Sequence, residues 1–234
     1  MIKIIKSDDR YHADHGWLDT RWHFSFGDYY DPANVNWSAL RVFNDDVVQA
    51  KTGFDMHPHR DMEIVTYVID GELSHADSVG NRGVIHPGEV QVMSAGKGIL
   101  HSEKNDSSNP VHLLQLWIMP RHKGNKPRWE QKQFTVDQRS GKLLPVVSPL
   151  GARAGANGSL QIDQDATIYV SSLKAGQSVT HAAAGQHAYL FMISGSVEVN
   201  GSTLSQGDQA RIAREPALTI DATSDAELML LDLP

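Results

Sequence analysis

Residues 57–63 read HPHRDME and set His57 and His59 two apart, with Pro58 between them. On an extended strand, side chains i and i+2 leave the same face, so the two imidazoles point together. The spacing recurs in GILHSEKN, where His101 and Glu103 share a face. If these segments pair or face one another, three imidazoles and a carboxylate converge on one point. Neutral imidazole and carboxylate without sulfur suit iron, manganese, nickel, copper or zinc. Pro58 cannot donate to a ladder, which puts its segment at a sheet edge or a strand start.

Glu63 competes with Glu103 for the carboxylate role, because it shares strand parity with His57 and His59. At the rise of an extended strand it would sit roughly 13 Å from His59 unless the chain bends. Glu103 needs no bend and is the first choice. Among the twelve histidines, His75, His86 and His112 read as loop or strand-surface residues. His12, His15 and His23 lie in YHADHGWLDTRWHFSFGDYYDP, whose Trp17, Trp22, Phe24, Phe26, Tyr29 and Tyr30 read as packing residues.

Other chemistries drop out. The chain has no cysteine, which removes disulfides, thiol catalysis, Fe–S clusters and zinc–thiolate sites. There is no GxSxG, and SAGKGILHS lacks both the GKS/T ending and the following helix of a phosphate loop. A net charge of -7 argues against a nucleic-acid surface, since the densest basic stretch, RHKGNKPR at 121–128, is broken by Gly and Pro. No apolar run nears the roughly 18 residues of a membrane span. MIKIIKSDDR lacks a signal-peptide core, so a cytoplasmic protein is expected.

The elements that must carry these side chains are strands. Short β-branched and apolar runs such as MEIVTYVIDGEL, EVQVMSAG, VHLLQLWIM and AYLFMISGSVEVNG are cut by Gly, Pro, Asn and Asp. That spacing predicts an all-β sandwich or barrel. A flexible GARAGANGS at 151–159, with the basic connector before it, marks 121–158 as the junction between two halves. The halves look related. Aligning Gly71 in VIDGEL with Gly195 in MISGSV places His57 opposite His181, His59 opposite Ala183 and Glu63 opposite His187. Aligning Gly88 with Gly207 places His101 opposite Ile220 and Glu103 opposite Ala222. A repeated β unit is expected, with the polar set only in the first copy.

HPHRDME, VIDGEL, PGE and HSEKN together resemble the paired motifs of a cupin. The stretches HGWLDTRWHFSFGDYYDP, ALRVFNDDVVQAKTGFDMHPHRDMEIVTYVIDGELSHADSVGN, VQVMSAGKGILHSEKN and LQLWIMP resemble bacterial pirin-like proteins almost continuously over residues 12–120. The resemblance implies a bicupin, two β-sandwich barrels packed face to face, with a metal-binding cupin at 1–130 and a cupin lacking the ligand set at 131–234. It implies His57, His59, His101 and Glu103 as ligands of one metal, usually Fe(II), with Glu63 outside. It implies a dioxygenase of the quercetinase type, which opens a flavonol such as quercetin with O2 and releases CO, with Glu103 as general base. The alternative it implies is a metal-bearing redox sensor that binds a transcription factor or metabolic enzyme without turnover. A cupin isomerase or sugar-binding module fits less well. A monomer is expected, since two domains can bury each other's faces.

Overall fold

The computed structural model describes residues 1–151, 158–182 and 185–234. It divides into two compact units. The N-terminal unit holds Tyr11–Phe134 with Ile162–Gln164, and the C-terminal unit holds Met1–Arg10, Thr135–Gln161 and Asp165–Pro234. Among the described residues, no helix is long and apolar enough to cross a membrane.

The chain opens on β1 (Ile2–Ile5) and enters the N-terminal unit with β2 (Tyr11–Asp14), β3 (Leu18–Trp22) and β4 (Leu40–Val48). The site segments follow: β5 (Thr52–His59), β6 (Glu63–Asp70), β7 (Leu73–Asp77), β8 (Arg82–Ile85) and β9 (Glu89–Ser94). The unit closes with β10 (Ile99–Asn105), β11 (Val111–Ile118) and β12 (Arg128–Gln133). A seven-stranded sheet, β12-β9-β6-β11-β4-β3-β2, faces a four-stranded one, β5-β10-β7-β8. Alternation decides which side chains meet between them. Leu18, Val48, Val68, Val111 and Leu113 from the large sheet pack on Leu73 and Ile85 from the small one.

The C-terminal unit repeats this plan with β13 (Leu144–Pro149), β14 (Leu160–Ile162), β15 (Thr167–Leu173), β16 (Ser178–Ala182) and β17 (His187–Ser194). It continues with β18 (Ser196–Val199), β19 (Ser202–Ser205), β20 (Gln209–Ala213), β21 (Ala217–Ala222) and β22 (Ala226–Leu233). Its sheets run β1-β20-β17-β22-β15-β13-β14 and β16-β21-β18-β19. Strand for strand, β5-β10-β7-β8 corresponds to β16-β21-β18-β19, and β9-β6-β11-β4 to β20-β17-β22-β15.

Two expectations on organisation change. The first ten residues belong with the C-terminal unit rather than the N-terminal one. There β1 pairs antiparallel with β20, and the Lys6 ammonium and Ser7 N–H bind the Asp208 carboxylate at 2.7 and 3.1 Å. The stretch 121–158 is more than a junction. β12 pairs along its whole length with β9, so a boundary at 130 would cut a strand, and β13 pairs with β15. Residues 152–157 of the glycine-rich segment lie outside the described residues.

The repeat itself needs one shift. Gly71 and Gly195, both at positive φ, occupy matching turns, and Glu63 and His187 hold matching register places opposite Ser94 and Ala213. Across the small sheets, however, His57 faces His101 whereas His181 faces Leu218. Six residues lie between Ser94 and His101, and only four between Ala213 and Leu218. The shorter loop makes Leu218 the counterpart of His101, and Ile220 that of Glu103, in place of Ile220 and Ala222. Ala183, aligned with His59, lies outside the described residues.

Candidate metal centre

β5 is the outer strand of the small sheet, which leaves the missing N–H of Pro58 without cost to the ladder. Its pairing with β10 sets Ile99 opposite His59, Leu100 opposite Pro58 and His101 opposite His57. Between His101 and Glu103 the register slips, so that Glu103 stands opposite Phe54. This β-bulge gives β5 an extra residue and re-aims the side chains on either side. Gly53, at φ 143°, lies so near the Glu103 carbonyl that a Cβ would be 2.3 Å from it, which is why this crossing needs glycine.

The three histidines converge. Ring centroids are 4.4 Å apart for His57–His101 and 4.8 Å for both His57–His59 and His59–His101. One donor nitrogen of each lies within 4.8 Å of the others. His57 Nδ1 sits 2.7 Å from the Asp55 carbonyl, which fixes that nitrogen as the N–H and leaves Nε2 as the donor to an ion. Burial, and then the neighbouring imidazoles, depress the pKa of His59 and of His101 to about 3. Both rings are therefore neutral, with lone pairs available. The Nε2 of His101 is buried and, among the described residues, has no hydrogen-bond partner. A cluster of neutral imidazoles with an orphaned nitrogen inside it fits a divalent transition ion.

Glu103 is buried behind the triangle and does not share its 4.8 Å set with His57 and His59. It groups instead with His101 and His75. The Gln115 amide donates to Glu103 Oε2 at 2.7 Å, and the Trp117 indole donates to Gln115 Oε1 at 3.2 Å. An indole N–H can only donate, so the Gln115 amide has one orientation and its NH2 must face Glu103. The Thr66 hydroxyl lies 3.4 Å from Oε1. Burial pushes the Glu103 pKa up, and the Gln115 bond draws it partly back. The Trp117 ring meets His59 edge-on at 4.8 Å, and Phe54 lies 6.3 Å from His57.

Glu63 is also buried, but on β6 in the large sheet, where Ser94 donates to it. Burial raises its pKa, with Ser94 and Arg128 pulling the other way, and it joins neither donor cluster. His86 is exposed, and His112 pairs with Asp45 at 2.6 Å. His12 contacts Asp19, and His23 stacks on Phe43. His75 departs from expectation. It is 2 % exposed, its Nδ1 lies 3.5 Å from His101 Nδ1, and Trp129 stacks on its ring at 5.6 Å. Strand parity was the available signal, since Leu73, His75 and Asp77 alternate inward along β7. Gln115 and Thr66 carry no such mark.

The pirin family profile matches residues 5–118, and that of the quercetinase C-terminal cupin domain matches residues 146–233. The quercetin 2,3-dioxygenase of Escherichia coli K12 is 49% identical over 237 residues, covering 100% of this chain and 99% of its own. A pirin-like protein of Caulobacter vibrioides is 48% identical, covering 94% of each. Among solved structures, the bacterial pirin YhhW of Escherichia coli in complex with nickel(II) superposes with a TM-score of 0.93 at 44% identity, covering 100% and 99%.

Proposed function

This chain belongs to the pirin family, and from that membership and its histidine triangle we propose that it is a quercetin 2,3-dioxygenase, opening a flavonol with O2 and releasing carbon monoxide. The observation that carries the reading is the convergence of His57, His59 and His101 beside the buried Glu103. We take these four as the ligand set and Fe(II) as the metal, a choice compatible with the nickel(II) that the related pirin holds. Bound there, the ion would supply Lewis acidity toward the 3-hydroxyl and 4-carbonyl oxygens of the flavonol.

The protein's own part is positioning and proton transfer. Gln115 occupies Glu103 Oε2 at 2.7 Å while Thr66 reaches Oε1 only at 3.4 Å, which makes Oε1 the oxygen that takes the proton of the 3-hydroxyl. Burial raises the proton affinity of Glu103, which suits a base that must hold that proton while the ring opens. The aromatic edges of Trp117 and Phe54 flank the imidazoles and offer apolar surface to a planar substrate. The test is E103Q and H101A in metal-loaded protein, with loss of flavonol absorbance as the readout. Both variants should lose turnover while remaining folded. Unchanged rates in both would end the proposal.

A further inference from the structure

His75 and Asp77 form a buried pair that the proposed chemistry does not use. Both side chains are completely shielded, with His75 Nε2 3.6 Å from Asp77 Oδ2. Asp77 is fixed from the other side. Its Oδ1 accepts the N–H groups of Val79 and Asn81 at 3.0 and 2.9 Å, and its Oδ2 accepts the Asn81 amide at 2.8 Å. The strand register delivers the pair to the metal centre, since β7 sets Asp77 opposite His101 and His75 opposite Glu103. Trp129 lies flat against the His75 ring, tilted by 17°, and is itself anchored by its indole N–H on Gln91 at 2.8 Å.

We propose that His75 is a positioning residue in an Asp77–His75–His101 relay that fixes which nitrogen of His101 faces the metal. Each link follows from donor counting. A neutral imidazole has one N–H and one lone pair. The carboxylate of Asp77, at 3.6 Å, is just beyond hydrogen-bond reach of Nε2, but its charge favours an N–H over a lone pair facing it, so Nε2 carries the proton of His75. That leaves His75 Nδ1 as an acceptor. The nitrogen it faces, Nδ1 of His101, must then be the donor. The lone pair of His101 is thereby confined to Nε2, the buried atom with no partner among the described residues. A metal-bound imidazole that gives its other N–H to a fixed acceptor is held in orientation and made a stronger ligand. In the C-terminal unit, the places of His75, His101 and Asp77 fall to Val199, Leu218 and Gly201, so the relay is absent together with the ligands.

The inference rests on the metal centre proposed above but not on flavonol cleavage, and its test reads tautomers and metal affinity rather than turnover. Side-chain 15N spectra of the metal-free wild-type protein should show His75 protonated at Nε2 and His101 at Nδ1. In titrations with Ni(II), H75L should bind about 10–100-fold more weakly than wild type. H75Q, whose side-chain oxygen can still accept from His101, should recover most of that loss. A space-filling role would give the reverse order, with leucine tolerated. His101 protonated at Nε2, H75L binding like wild type, or H75Q no better than H75L would each overturn the relay. If these readouts hold and the wild-type protein still leaves flavonols intact, the relay stands and the assigned activity falls.

Discussion

The two units share a strand order and differ in what fills the space between their sheets. Matching register places the N-terminal Thr66, His75, His101, Glu103 and Gln115 against the C-terminal Leu190, Val199, Leu218, Ile220 and Leu230. All five C-terminal residues belong to one buried hydrophobic cluster. The fold therefore does not need the polar set. Burying imidazoles and a carboxyl there costs free energy that leucine and isoleucine do not, and among the described residues His75 and His101 each keep a ring nitrogen without a hydrogen bond. Local rules broken in one copy and kept in the other mark the broken copy as the one under functional demand. The bulge points the same way. It separates His101 from Glu103 on β10, whereas β21 pairs with β16 without a slip and sets Ile220 directly opposite Val179.

The strongest way to break this comparison is to rewrite the first interior as the second. The variant H101L/E103I/Q115L should lose flavonol turnover and bound metal to background. Its thermal midpoint should stay near that of the metal-free parent, because the buried Glu103 carboxyl leaves together with its Gln115 donor, which offsets the contacts that Thr66, Trp117 and His75 lose. A collapse in stability would mean that the polar set also supports the N-terminal fold. Next in size is E103Q, which keeps the shape and the contact with Gln115 but removes the proposed base. Turnover should fall by about 10²–10⁴-fold, measured at saturating metal so that weakened binding is separated from lost proton transfer.

A third contrast sharpens the comparison through pH. Asp46 on β4 and Ser171 on β15 hold equivalent register places, opposite Leu113 and Leu228. Burial raises the Asp46 carboxyl from 3.8 to about 7, against the opposing bond from Thr20 and with a further push from Asp45 and Glu103. From about pH 4 to pH 7 the folded chain keeps a proton that the unfolded chain has released. Asp46 thus lowers stability progressively as pH rises through that window, and the penalty is complete above it. D46N should stabilise the protein, and by more at pH 8 than at pH 5, with a gain at pH 8 of about 1–3 kcal/mol from denaturant titrations. Equal gains at the two pH values would show that Asp46 is ionised throughout the folded state.

Much of this was legible in the residues. Turn glycines between β-branched runs announced paired β units, and i,i+2 parity announced both His57/His59 and His101/Glu103 as face-sharing pairs. What escaped depends on long-range geometry. Nothing local says that Ile2–Ile5 pairs with Gln209–Ile212, some 200 residues away, or that a loop two residues shorter shifts the match to His101. A bulge is a property of two strands at once, so neither strand alone announces it. Gln115 is an ordinary polar residue on a strand until Trp117 fixes its amide and Glu103 receives it. His75 was within reach, because the parity argument that selected His101 and Glu103 applies equally to His75 and Asp77.

The smallest expected effect is the most instructive about what makes a site. His181 is the register counterpart of His57 and the one described residue of the proposed ligand set retained in the second unit. There it is buried, 3.2 Å from the Asp232 carboxylate and edge-on to Tyr169 at 5.1 Å. Across from it stands Leu218, so no second imidazole faces it on the paired strand. A histidine bound to a carboxylate within an apolar interior is a structural residue, and H181Q should cost about 1 kcal/mol of stability. It should leave metal stoichiometry and flavonol turnover at wild-type values. A measurable fall in bound metal would mean that the C-terminal unit holds an ion of its own, and the contrast between a polar and an apolar interior would have to be redrawn.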